Sequence, residues 1–163
     1  MPRTMLIAVI FVCFASTALA ATFAQTVSDA TGPAAALGVA AAYFTTGELG
    51  KQNASRMADA LLLSVGTAEL LKPNLTVNDN RWDHSFPSGH TALAFATASS
   101  LGKIHPKQKW LYYAGAALVG WSRVETGAHT WTDVLGGAAL GTAAGNLSMS
   151  SQNGLMLGRI YKF

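Results

Sequence analysis

Apolar and polar positions along the chain fall into long blocks broken by Gly, Pro and Asn, and no stretch keeps the strict alternation of a half-buried strand. The first block is an apolar run from Met5 to Phe14 behind Arg3. It ends at Ala18-Leu19-Ala20, a small-x-small pattern that predicts a signal peptide over residues 1–20 cut before Ala21. Residues 21–32 are polar and Thr-rich and read as a loose leader. From Pro33 the chain turns Ala-rich, and 33–46 reads as a helix with Pro33 in its first turn. A Gly-containing turn follows at Gly47 to Gly50. A second helix is expected over 55–71, with Ser55 as N-cap and Lys72-Pro73 as its stop. Residues 73–88 form a polar loop longer than most connections, and loops of that length in compact domains are often functional. Further helices are expected over 89–103, 107–123 and 132–146, the last capped by Thr132. It carries Gly137, Gly141 and Gly145 at four-residue spacing, a side-chain-free face against which another helix can pack closely. The pattern predicts an all-α fold. For residues 154–163 it predicts no element.

Length and composition sharpen this picture. At 163 residues one domain is expected, and with residues 1–20 and 21–32 set aside it occupies 33–163. Half of the residues are hydrophobic and 12% are charged, against about 25% charged in an ordinary globular chain. Such a balance means large buried faces, a membrane setting, or both. The net charge of +3 is scattered, with no basic run or interleaved aromatic strip, which excludes a nucleic-acid partner but suits an anionic substrate or membrane surface. Cys13 is the one cysteine and lies in the signal segment. The mature chain would therefore hold no disulfide, thiol chemistry or Cys-based zinc site. The apolar stretches after the signal are short for spanning: 12 residues separate His90 from Lys103, and 13 separate Lys109 from Arg123, where about 20 are needed.

Three groups of residues suggest chemistry. His129 and Asp133 are four apart, a spacing that puts them on one face of a helical turn, where an Asp hydrogen-bonded to one ring nitrogen leaves the other as an outward lone pair. A pair of this spacing also serves as a plain structural hydrogen bond. Arg123, six residues upstream, offers a planar fork of donors suited to phosphate oxygens. Pro87-Ser88-Gly89-His90 opens a helix. Gly89 lets the backbone approach a ligand, Ser88 and the first amides can donate to an anion or simply cap the helix, and His90 stands beside the bound group. Lys72 and Arg81 add two cations in and before the polar loop.

Pro87-Ser88-Gly89-His90, followed after 31 residues (91–121) by Ser122-Arg123-x5-His129-x3-Asp133, resembles the second and third motifs of the type 2 phosphatidic acid phosphatase (PAP2)/vanadium haloperoxidase superfamily. The resemblance covers roughly Ala58 to Gly145. The family's first motif, Lys-x6-Arg-Pro, is matched imperfectly: eight residues separate Lys72 from Arg81, and Trp82 stands where the proline would be. The resemblance implies a compact PAP2-like bundle of about five to six helices and a phosphatase needing no metal or other cofactor. It implies that Lys72, Arg81 and Arg123 hold the phosphoryl oxygens with Ser88 and the Gly89 amide. His129 would attack phosphorus to form a phosphohistidine, Asp133 would orient it, and His90 would protonate the leaving group. Substrates would be phosphomonoesters or diphosphates, either lipid phosphates or small soluble ones. Two other readings stand beside this one: a vanadium-dependent haloperoxidase using the same residues, and a non-catalytic envelope protein binding a phosphorylated lipid. The signal segment implies export to the periplasm, in a soluble or membrane-associated form, with an integral inner-membrane form as the alternative.

Overall fold

A computed structural model of the chain describes residues 19–45, 49–75, 85–152 and 154–157. Within them lie six helices: α1 (19–29), α2 (Thr31–Thr45), α3 (Gly50–Leu71), α4 (Gly89–Ile104), α5 (Lys109–Glu125) and α6 (Trp131–Ser150). A 3-10 turn, Pro106–Gln108, joins α4 to α5. No strand occurs among the described residues. Arg81, Cys13 and the apolar run of the expected signal lie outside them.

Several boundaries differ from the pattern reading. The expected loose leader is helical over 21–29 and runs into α2 after a break at Ala30. Its polar residues satisfy themselves along the helix: the Thr26 hydroxyl donates to the Thr22 carbonyl at 2.9 Å and that of Thr31 to Val27 at 3.2 Å. α3 begins at Gly50, so Ser55 caps nothing; its hydroxyl donates to the Gln52 carbonyl inside the helix at 3.0 Å. A side chain at Gly50 would lie 2.1 Å from the Tyr43 carbonyl, so the close α2–α3 crossing requires glycine there. α6 is capped by Thr130, not Thr132, because Thr130 and Asp133 form a capping box.

α4 is the centre of the bundle, with α2, α3, α5 and α6 packed around it. What lies inside is small. Among the described residues the buried aliphatic side chains are all alanines except Met57, Pro87 and Val134, while Leu37, Phe44, Trp110, Leu135 and Leu147 point outward. Small residues let helix backbones approach, and the tightest approach is that of α6 to α4. A side chain at Gly137 would meet the Ser88 carbonyl at 2.5 Å, and one at Gly141 the Ala92 carbonyl at 2.1 Å. The glycine face expected from the sequence is thus used, and its partner is α4 from its Ser88 cap to Ser99.

The segment 154–157 beyond α6 is fastened to α3. Asp59, fully buried, accepts from the backbone amides of Leu155, Met156 and Leu157 at 2.8, 3.0 and 2.9 Å. The Ser148 hydroxyl donates to the Arg56 carbonyl at 2.6 Å, and the Arg56 guanidinium donates to the Gln152 carbonyl. Three amides converging on one carboxylate satisfy its buried charge.

The α4–α6 approach makes a direct prediction. Gly141→Ala places a methyl against the α4 backbone, which has no flexible end to yield, and should cost about 1–3 kcal/mol. Gly66→Ala on α3, where nothing lies within 4 Å of the new carbon, should be neutral or stabilise by up to about 1 kcal/mol. Chemical unfolding of the two variants checks this. Equal midpoints would contradict the packing described.

Candidate active site

Ser88 precedes α4 in an extended conformation (φ −66°, ψ 113°) and caps it. Its buried oxygen accepts from the Thr91 amide at 3.4 Å and from the Thr91 hydroxyl at 3.0 Å. Gly89 and His90 follow as the first residues of the helix, where unpaired backbone N–H groups and the helix dipole favour an anion. The Ser88 amide donates to the Asp133 carbonyl at 3.0 Å. The start of α4 is therefore bonded to the start of α6, directly below the first contact of the glycine face.

The turn from α5 to α6 places the second histidine. Arg123 lies in the last turn of α5, and Gly127 takes a positive φ of 68°, which reverses the chain. The Ala128 and His129 amides then both donate to the Arg123 carbonyl at 3.1 Å. This doubling back explains why five residues separate the arginine from the histidine. Asp133 closes the turn: its Oδ2 accepts from the Thr130 amide at 2.9 Å and from the Ser85 hydroxyl at 3.0 Å. The expected hydrogen bond between Asp133 and His129 is not formed. His129 Nδ1 stands 3.6 Å from Asp133 Oδ2, within ion-pair range but too long for a hydrogen bond. His129 Nδ1 and Asp133 Oδ1 are both buried without a partner. Oδ2 is held instead by the capping box and Ser85.

Lys72 caps the C-terminal end of α3 and pairs with Glu69 one turn back at 2.5 Å. Across from it, a side chain at Gly89 would lie 3.3 Å from the Glu69 carboxylate and 3.9 Å from Lys72 Nζ. Lys72, Glu69, Gly89, His90 and His129 line one cleft of about 240 Å³, closed on the α2 side by Gly32. Arg123 and Lys72 reach both imidazoles electrostatically. Burial lowers the His90 pKa first, with Arg123 and Lys72 lowering it further and Asp29 opposing them. Burial likewise lowers that of His129, followed by Arg123, against the pull of Asp133. Both rings therefore favour the neutral form. Among the described residues no three His, Cys, Asp or Glu side chains converge to hold a metal ion.

Of the residues singled out from sequence, Lys72, Gly89, His90 and His129 meet at the cleft, and Arg123 acts on both histidines from beside it. Ser88 is buried beneath the helix start, and Asp133 stands behind His129. Arg81 lies outside the described residues. Four contributors were not anticipated. Glu69 pairs with Lys72, and Ser85 holds Asp133. Ser28, buried on α1, accepts a hydrogen bond from the Arg123 guanidinium, and Asp29 adds its charge. The Thr130-x-x-Asp133 capping box was open to sequence reading, as was the Glu69–Lys72 spacing. Ser28 and Asp29 carry no local signal, since their partner lies 95 residues away from Ser28.

Known proteins resemble this chain in sequence and in fold. The bacitracin transport permease protein BcrC of Bacillus licheniformis is 44% identical over 59 residues, 36% of this chain and 29% of that protein. An undecaprenyl-diphosphatase of Sulfolobus acidocaldarius is 34% identical over 90 residues, 55% of this chain and 41% of its own length. The chain thus spans less than half the length of these curated relatives. The crystal structure of LpxE from Aquifex aeolicus superposes with a TM-score of 0.65 at 25% identity, covering 82% of this chain and 87% of that one. Residues 6–156 match the family model of the PAP2 superfamily, and the chain belongs to that family.

Proposed function

We propose that the chain is a phosphatase that passes a phosphoryl group from a phosphomonoester or diphosphate to His129 and then to water, without a metal ion. The observation that carries this reading is the meeting of two histidines at one cleft with Lys72, the α4 N-terminus and the field of Arg123. Phosphoryl transfer asks mainly for positioning and charge neutralisation, and two or three cations with a helix N-terminus can supply both. The Nδ1 edge of His129 faces Asp133, which leaves Nε2 to attack phosphorus. The bond to the leaving oxygen breaks as His90 gives it a proton. The resulting N–P bond is then cleaved by water, whose proton returns to His90. A neutral His129 suits the first step. Bound phosphate dianion would offset Arg123 and Lys72 and raise the His90 pKa, which suits its role as acid. We assign Asp133 to holding His129 in the correct tautomer, Ser88 and the Gly89 amide to the phosphoryl oxygens, and Arg81 to the same cradle.

The substrate we favour is a lipid phosphate or diphosphate. The undecaprenyl-diphosphatase relative supports this, and it favours a phosphatase over the haloperoxidase alternative. The distribution of side chains supports membrane association: alanine and glycine inside, large apolar groups outside, as in helices that pack within lipid. No helix among the described residues is long and apolar enough to cross a membrane. Export with cleavage before Ala21 remains our reading for the N-terminus. It would keep residues 21–29 of α1 in the mature protein, whereas a retained first helix is the alternative suggested by a family match that begins at residue 6.

Three outcomes test the proposal. Phosphate release from lipid phosphates should survive EDTA and be inhibited by vanadate; loss on chelation, restored by a divalent ion, would contradict the mechanism. His90→Ala should lose about 10²–10⁴-fold on alkyl phosphates and much less on para-nitrophenyl phosphate, whose leaving group needs little protonation, while His129→Ala falls to the buffer rate on both. Equal losses for His90→Ala on the two substrates would remove it from the acid role. The imidazole resonances of His90 and His129 should both titrate below the ordinary 6.5, and Arg123→Ala should move both upward because a repelling charge is gone. A midpoint at or above 6.5 in the unaltered protein would contradict the electrostatics of the cleft.

A further inference from the structure

We propose that Ser28, in the last turn of α1, is a positioning residue that holds the Arg123 guanidinium at the cleft, so that α1 is a working part of the phosphate site. The inference rests on the phosphatase reading in taking Arg123 as a phosphoryl ligand.

The buried positions of the first two helices form one stripe: Ala24, Ser28, Thr31, Ala35, Gly38 and Ala42. Ser28 is 1% exposed, and a hydroxyl buried that deeply is unfavourable unless bonded. Its bond is to Arg123, whose Nη1 donates to Ser28 Oγ. α1 is held in place for this contact by the ring of Phe23, 6.4 Å from that of Trp121, which lies two residues before Arg123.

The chemistry of the partner matters. A structural arginine in a protein interior is ordinarily matched by a carboxylate, which neutralises it. Here the acceptor is a neutral hydroxyl, which fixes the direction of the fork without neutralising its charge. Arg123 Nε is buried and has no partner. Burial pulls the guanidinium below its ordinary pKa range, and Asp29 opposes this only from a distance; its own Oδ1 is engaged by Gln25 Nε2 at 2.9 Å. An oriented, partly desolvated guanidinium whose acidic neighbour Asp29 acts on it without a direct ion pair is poised for an arriving dianion, and a bidentate fork loses more than a point charge would if it swings away. Gly32, four residues beyond Ser28, lines the cleft itself, so the α1–α2 junction borders the site on both counts.

The experiment is a double-mutant cycle on the full chain with two readouts: the affinity for inorganic phosphate by calorimetry, and kcat/KM on para-nitrophenyl phosphate. Ser28→Ala removes the acceptor. Ser28→Cys keeps the volume while replacing the oxygen by a weak acceptor, and it carries the test if the alanine variant folds poorly. Each should weaken phosphate binding and lower kcat/KM about tenfold, the expected effect of losing a hydrogen bond to a charged group. In an Arg123→Ala background the same change should cost less than twofold, because the guanidinium it positions is gone. An equal factor in both backgrounds, or unchanged phosphate affinity in Ser28→Cys, overturns the proposal. Unaltered protein that binds phosphate without hydrolysing esters would overturn the phosphatase reading alone, with Ser28 still judged on affinity. Unaltered protein that binds no phosphate overturns both.

Discussion

At Gly137 and Gly141 the backbone of α6 lies against the backbone of α4 with no side chain between them. This contact decides where two distant pieces of sequence end up. It brings the Ser88 amide to the Asp133 carbonyl, and so sets the N-terminus of α4, with Gly89 and His90, beside the α5–α6 turn that carries His129. A bulkier interface would separate the helices and open the cleft between the two histidines. The small core found elsewhere in the bundle follows the same logic, since alanine, glycine, serine and threonine at most buried positions let α2, α3 and α5 close around α4.

Electrostatics then follows from geometry. Lys72 from the end of α3 and Arg123 from the end of α5 place positive charge around two partly buried imidazoles, and burial and charge act in the same direction on both. Both imidazoles thereby favour the neutral form, which on our reading suits a nucleophile before substrate arrives and gives way to a protonated acid after it. Asp133 serves structure and site together: its carboxylate completes the cap of α6, accepts from Ser85 and stands within ion-pair range of His129. The capping box thus fixes the carboxylate to which we assign the control of the His129 tautomer.

What was legible in the sequence was what is local. Pro87 to His90 and Arg123 to His129 each form within one turn, and the glycine face of α6 was readable from its spacing. The partner of that face was not, because nothing in a helix states which neighbour it meets. α1 was misread because threonines and a glycine suggest a loop; hydroxyls bonded to their own helix carbonyls make such a segment compatible with helix. Asp133 was read as the orienter of His129 from their spacing and from the family resemblance; its second role, completing the Thr130-x-x-Asp133 cap, was equally open to the sequence and was not read. The tail beyond α6 was unreadable because its order comes from Asp59, more than 90 residues earlier.

The account stands on His129 as the nucleophile in a cradle assembled by α4 and α6. Rapid-quench labelling with a substrate carrying radioactive phosphorus tests this most directly. The account predicts a transient phosphoryl group, acid-labile and base-stable, mapped to His129 and absent from His129→Ala. Label on His90 or Ser88, or full turnover with no covalent phosphate at any time, would contradict it.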